Sequence, residues 1–233
     1  MTTFKPPTKS KDLLEGIPFE QADDTQPAAK KRFDDFDKTG TKDPNKCKAL
    51  LQFPNGAVFW SSKMAVDADG PAVGPGRKTG KQLDPSSGQN DTSFQLPDGG
   101  GGLPSETIPY IAIPHDPEDH SKAFHPDIVI GDVAIVIFRD EIIAAICGDI
   151  GPQNKIGEGS IHVHEELMPR APDPCKRNAK GFCDRICDVS IDEDVLFFVF
   201  PHSSFGKELT AQNIELKIKE RAFTRFNELK GIS

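Results

Sequence analysis

Tryptophan and tyrosine are scarce in this chain, at one residue each, and methionine occurs three times. The bulky apolar content rests instead on 16 phenylalanines, enough for one proper core within 233 residues. Long apolar runs are missing. None approaches the roughly 18 residues that a membrane helix requires, so no membrane partner is expected. Residues 1–26 lack the apolar segment of a secretory signal, which leaves a cytoplasmic location open. Positive charge is in deficit, with 28 Lys and Arg against 36 Asp and Glu, for a net charge of −8. That balance argues against nucleic acid and favours a cationic partner. Cysteines are few and odd in number, five in all. Cys175, Cys183 and Cys187 cluster while Cys47 and Cys147 stand apart; the cluster could hold one disulfide, but no pairing follows from sequence. Its spacings do not suit zinc.

What the chain does have is Gly and Pro, 20 of each. With modest hydrophobic content, this composition predicts a loop-rich, mainly β protein. Residues 1–45 are polar and without periodicity, and read as a flexible N-terminal extension. Residues 46–233 are expected to form a single domain. Ala49–Phe53, the turn Pro54-Asn55-Gly56 and Ala57–Trp60 predict a hairpin. Residues 70–106, rich in Gly and Pro, predict a long surface loop. Ile108–Pro114 predicts a short strand, and Ile128–Phe138 with Ile142–Cys147 a buried hairpin turning at Arg139–Glu141. Ser160–His164 alternates in polarity and reads as a strand, with Ile161 and Val163 opposite His162 and His164. Residues 168–188 read as an insert, and Val195–Phe200 as a buried strand. Thr210–Lys230 has helical spacing, with Ile214, Ile218, Ala222, Phe223, Phe226 and Leu229 forming the apolar stripe.

The chemistry concentrates between Cys147 and Ile161. A hydrophobic strand delivers Asp149 at its end, a loop with Gly151, Gly157 and Gly159 follows, and Glu158 stands on the far lip. Glycines there let a ligand approach the backbone closely. Two carboxylates facing each other across a gap are what glycosidic hydrolysis needs, one protonated and one ionised. A separation of roughly 6.5–9.5 Å leaves room for water and gives inversion, whereas roughly 5–5.5 Å gives retention. Spacing alone favours a tight turn with two solvated carboxylates.

The string Gly148-Asp149…Ile156-Gly157-Glu158-Gly159-Ser160-Ile161 resembles the signature of the fungal-type chitosanase family of glycoside hydrolases. Ser62-Lys63-Met64-Ala65-Val66-Asp67-Ala68-Asp69-Gly70 is similar to a second stretch of that family. Pro109–Pro114 followed by Gly131–Ala134 is similar to a third, and the three stand in the family's order. The resemblance implies endo-cleavage of chitosan, a β-1,4-linked glucosamine polymer, with inversion and no cofactor. It places catalysis on the pair Asp149 and Glu158; Glu158 is favoured as general acid and Asp149 as base, an order that turns on which carboxyl is better desolvated and that sequence does not show. It also implies secretion. Strand-end Asp-x-Gly, then Ile-Gly, then a hydrophobic strand further resembles the double-psi β-barrel proteins, so a six-stranded double-psi-like barrel with an open cleft and a C-terminal helix is expected. A monomer is expected as well.

Asp67 and Asp69 are candidates for holding the ammonium groups of the sugar, with Lys63, Tyr110 and Ser160 as further substrate-binding candidates. A solvated Asp-Gly turn is the plain alternative. Calcium does not fit Asp67-x-Asp69-Gly, because Lys78 falls where the loop's closing Glu should be. His162 and His164, with His115, His120 or His125, would make a metal set only if a third ligand converged; the solvated face of an edge strand fits better. Trp60 and Tyr110 suit either sugar stacking or core. Two rival functions stay open: cleavage of another amino-sugar polymer such as peptidoglycan, and a barrel that binds polysaccharide without turnover.

Overall fold

The structure, a computed structural model, describes residues 4–24, 49–71, 89–114, 124–152, 155–179, 181, 183–187 and 189–232. In chain order the strands are β1 (Asp23–Asp24), β2 (Ala49–Gln52), β3 (Val58–Asp67), β4 (Tyr110–Pro114), β5 (Val133–Phe138), β6 (Glu141–Gly151), β7 (Glu158–Ser160), β8 (Cys175–Arg177), β9 (Cys183–Ile186) and β10 (Ile191–Phe200). Helix α1 (Ile161–Leu167) follows β7, and helix α2 (Ile214–Leu229) closes the chain.

Strands β3, β10, β5, β6, β4 and β7 pair in that order, and β7 pairs back onto β3, so the sheet closes as a six-stranded barrel. Two of its pairings are parallel, β3 with β7 and β4 with β6, and the others are antiparallel. The predicted hairpins form: β2 and β3 pair from Gln52↔Val58, and β5 and β6 from Phe138↔Glu141. Among the described residues no helix is long and apolar enough to cross a membrane.

A closed barrel has an inner and an outer face, and a barrel of six strands is too narrow to enclose a helix. Helix α2 buries Ile214, Ile218, Ala222, Phe226 and Leu229 against Phe59, Ile135, Ile137, Ile146 and Phe198, so those strand positions face outward. The alternate positions, Trp60, Val136, Ala145, Cys147 and Phe197, pack on one another inside. Trp60 stacks on Phe197 at 5.0 Å and is fully buried, which settles it as core. Because both faces are covered, β5 and β10 read as continuous apolar runs rather than alternating ones. Each such side chain, fully buried, contributes about 1.5–3 kcal/mol.

Four expectations are corrected. The class is mixed α/β rather than mainly β, and of Ser160–His164 only Ser160, the end of β7, is in a strand, Ile161–His164 being helical. Ser160 caps α1, its side chain accepting from the Val163 N–H, and the buried residues Ile161, Val163, His164 and Leu167 follow helical spacing. Positions two apart on a helix diverge, so His162 and His164 cannot form a metal pair; His164 Nε2 instead bonds the Val189 carbonyl. The expected strand from Ile128 starts only at Val133. Gly131 takes φ 100°, and Asp132 accepts from the Val129 and Ser203 N–H groups, holding a turn there. Residues 4–24, expected within a flexible extension, pack on the barrel: Leu14 and Ile17 join the outer core, and Phe4 meets Phe59 at 4.8 Å. Residues 25–48, residues 72–88 of the loop from 70 to 106, His115 and His120 lie outside the described residues. The insert is a hairpin of β8 and β9 carrying a Cys175–Cys183 disulfide.

Candidate active site

Strand β6 changes partner along its length, and the change places Asp149. Beside β4 the register runs Tyr110↔Ile146, Ile111↔Cys147 and then Ala112↔Asp149, so Gly148 is an extra residue in a β-bulge. Cys147 and Ile111 face inward. By simple alternation Asp149 would follow Cys147 into the core. The bulge carries it to the face of Ala112 and Tyr110, on the outside. Gly148 is required there, because a Cβ would come within 2.6 Å of Tyr110 Cβ and 2.8 Å of a Leu103 methyl.

Strand β7 brings the second acid to the same place. Ala112 pairs with Glu158 on one side and with Asp149 on the other. The two acids thus flank one alanine on one face, with backbones about 10 Å apart at two strand spacings. Ala65 of β3 pairs with Glu158, and Asp67, two residues on, shares that face. Four carboxylates, Asp67, Asp69, Asp149 and Glu158, therefore surround one patch of the barrel wall.

Each is held differently. Asp149 Oδ1 accepts three hydrogen bonds, from Ser93 N–H at 2.9 Å, Ser93 Oγ at 2.6 Å and Ile150 N–H at 2.8 Å. Asp67 Oδ1 accepts from the Asp69 N–H at 2.9 Å and lies 3.3 Å from the Tyr110 hydroxyl. Asp69 Oδ1 accepts from the Gln89 N–H at 2.6 Å. Glu158 Oε1 pairs with Lys155 Nζ at 2.5 Å, and Oε2 lies against Gly151, where a Cβ would come within 2.6 Å. Gly157, at φ 78°, lets the loop press on the Lys63 carbonyl.

Carboxylate oxygens of Asp67, Asp69 and Asp149 lie within 4.8 Å of one another. Such crowding favours protons or cations. Burial pushes the Asp67 carboxyl well above its ordinary value, and the facing charges of Glu158, Asp69 and Asp149 add to that. Burial likewise pushes Asp69 up to about 6, reinforced by Asp149 and opposed by the Gln89 N–H. The patch can accept ammonium groups, as a glucosamine polymer would present, or a metal ion through the same three oxygens.

Tyr110 and Ser160 are fully buried and have their polar atoms engaged. The Tyr110 hydroxyl donates to the Asp69 carbonyl at 2.8 Å, and Ser160 Oγ bonds Tyr110 N–H, Ile108 O and Val163 N–H. Both support the acids from behind rather than offering a surface to a ligand. Lys63 is 6% exposed. Ser93 and Lys155 are the site residues that sequence reasoning missed. Ser93 carries no motif, whereas Lys155 stood in plain view between the two acids. Asp149 is 5% and Glu158 8% exposed. A cavity of about 770 Å³ lies elsewhere, lined by Phe4, Pro7, Arg139, Met168 and Asp194.

Comparison with known proteins bears on this arrangement directly. Residues 64–232 match the model of a family described as fungal chitosanase of glycosyl hydrolase group 75. A search of curated proteins finds no match to the chain. The matched span runs from Met64, three residues before Asp67, through both acids to the end of α2, and covers well over half of the 233 residues. This chain belongs to the fungal chitosanase family, a family of glycoside hydrolases.

Proposed function

We propose that the chain hydrolyses chitosan internally, at β-1,4 bonds between glucosamine units, with inversion of the anomeric carbon. One observation supports this most: Asp149 and Glu158 flank Ala112 on the same face, about 10 Å apart in backbone. That spacing suits carboxyl groups separated by a sugar and a water rather than by a direct covalent attack. Glu158 is assigned as the general acid toward the leaving oxygen. Asp149, its Oδ1 pinned by three donors, is assigned as the base that turns a water onto the opposite face of the ring. Asp67 and Asp69 receive ammonium groups of the neighbouring sugars, a role their crowding favours. Residues 46–233 act as one catalytic domain on which residues 4–24 dock. The chain works as a monomer without cofactor and is secreted. The barrel is of double-psi kind, a reading supported by its six strands and two parallel pairings.

The test is incubation with soluble chitosan while reducing ends and viscosity are followed. Viscosity should fall well ahead of reducing-end release, and the first-formed product should carry the inverted anomer by proton NMR. Glu158→Gln and Asp149→Asn run alongside; cleavage by either at the wild-type rate removes the assignment. Peptidoglycan and acetylated chitin complete the panel, and preference for either shifts the substrate.

A further inference from the structure

The β8–β9 hairpin forms a sheet of its own, closed by the Cys175–Cys183 disulfide. None of the four acids of the site stands on it, yet Arg177 reaches from it toward them. Its Nη1 bonds Glu106 Oε1, its Nη2 lies 3.6 Å from Glu165 Oε1, and its Nε donates to Asp173 Oδ2 at 2.7 Å. Glu106 lies on the turn that leads into β4, and Glu165 on α1. The Glu106 side chain is 7% exposed. Burial pushes its carboxyl up, and the Arg177 guanidinium opposes that. Beside Glu106, the fully buried Ser105 joins two parts of the site. Its Oγ donates to the Asp67 carbonyl at 2.5 Å and accepts from the Ile161 N–H at 2.9 Å. Its carbonyl accepts from the His162 N–H at 2.9 Å. One serine thus ties the end of β3, which presents Asp67, to the start of the helix that follows Glu158. Arg177 grips this tie on both sides: at Glu106, next to Ser105, and at Glu165, one turn along α1 from Ile161. A planar guanidinium fork fixes such a geometry where a point charge would not.

We propose that Arg177 is a positioning residue: acting through Glu106, Ser105 and α1, it holds Asp67 and Glu158 in place relative to each other. The idea rests on reading Asp67 as a substrate-binding group and Glu158 as a reacting one. Arg177 touches neither acid and no substrate. Its effect on turnover is therefore geometric.

Arg177→Met alone leaves Glu106 as a buried charge without its counter-ion, so lost activity there mixes folding with positioning. Arg177→Met combined with Glu106→Gln removes both charges and separates the two. The double variant should regain most of the melting temperature that the single one loses. Its turnover number on chitosan, measured well below either melt, should stay about ten- to hundredfold down, as for reacting groups displaced by up to an ångström. Arg177→Lys keeps the charge without the fork and should recover stability but only part of the turnover. Amide hydrogen exchange gives a readout that needs no substrate. Exchange at Ile161 and His162, whose N–H groups Ser105 receives, should run severalfold faster in the double variant, while the β5 amides stay as in wild type. Full turnover in the double variant, or faster exchange confined to the hairpin, would overturn the proposal. Faster exchange at Ile161 and His162 with no chitosan cleavage by wild type supports the tie from Arg177 to the acids and removes the chitosan reading instead.

Discussion

Strand β6 joins two regions built on different rules. From Glu141 to Ile146 it runs antiparallel to β5 in unbroken register. From Ile146 to Gly151 it runs parallel to β4, through a bulge, and ends at the acids. The first half is regular and, after Glu141, apolar, with Ile142 and Ile143 half-buried and Ala144 to Ile146 buried. The second half breaks the alternation at one glycine, and that break turns a carboxylate from the core to the site. Regular pairing supplies stability; the irregular stretch, held from both sides by β4 and the Ser93 loop, supplies chemistry.

The widest contrast between the halves comes from the acids themselves. Glu158→Gln or Asp149→Asn should lower the turnover number on chitosan about 100- to 10,000-fold, the usual range for a lost proton-transfer group. Thermal melts should hardly move. A matched substitution in the regular half, Ile143→Val, should leave turnover intact and cost roughly 0.5–1.5 kcal/mol at most. Equal losses of activity from both halves would mean that the site is not confined to the bulged one.

Gly148→Ala tests the break directly. The new Cβ meets the Tyr110 Cβ and a Leu103 methyl, both buried. The cost should be about 1–3 kcal/mol, read as a lower melting temperature, together with a loss of turnover as Asp149 shifts.

The same contrast explains what could be read before the structure. The β5–β6 hairpin was legible because β-branched runs on either side of Arg139–Glu141 leave few alternatives. Helix α2 was legible from its stripe, and Asp149 and Glu158 from their place in a recognisable string. Less was visible where one residue decides geometry. Alternation in Ser160–His164 imitated a strand because a helical turn can also bury positions two apart, and only the Ser160 cap tips the balance. Ser93 stayed hidden because its partner is 56 positions away, a contact that closes only when the loop folds over β6. The class of Tyr110, core or sugar platform, depended on a burial that sequence does not carry.

Ser93 offers a finer probe, since its hydroxyl donates to Asp149 and accepts from the Ile150 N–H. Ser93→Ala removes one of three donors on a carboxylate oxygen and leaves the backbone N–H in place. A hydrogen bond to a charged group is worth about 1.5–3 kcal/mol. Turnover number should fall roughly tenfold or more with KM little changed, and Ser93→Thr should recover much of it. A change confined to KM would make Ser93 a substrate contact instead.

The smallest effect separates charge from packing in the acidic patch. Asp69 ionises near its ordinary 3.8 when the chain is unfolded and near 6 when folded. Below 3.8 the group is protonated in both states and contributes nothing to the pH dependence. Between 3.8 and 6 the unfolded chain gives up its proton while the folded chain keeps it, so folded stability falls across that window and the full cost stands above 6. Asn keeps the acceptor for the Gln89 N–H and carries no charge. Asp69→Asn should therefore melt higher than wild type at neutral pH, by about 1–2 kcal/mol once the half-exposed side chain is discounted for solvent screening. Near pH 3.5 the two should melt together. A gain that persists unchanged at low pH would trace to packing, and the crowding of acids would then not be what distinguishes this half of the strand.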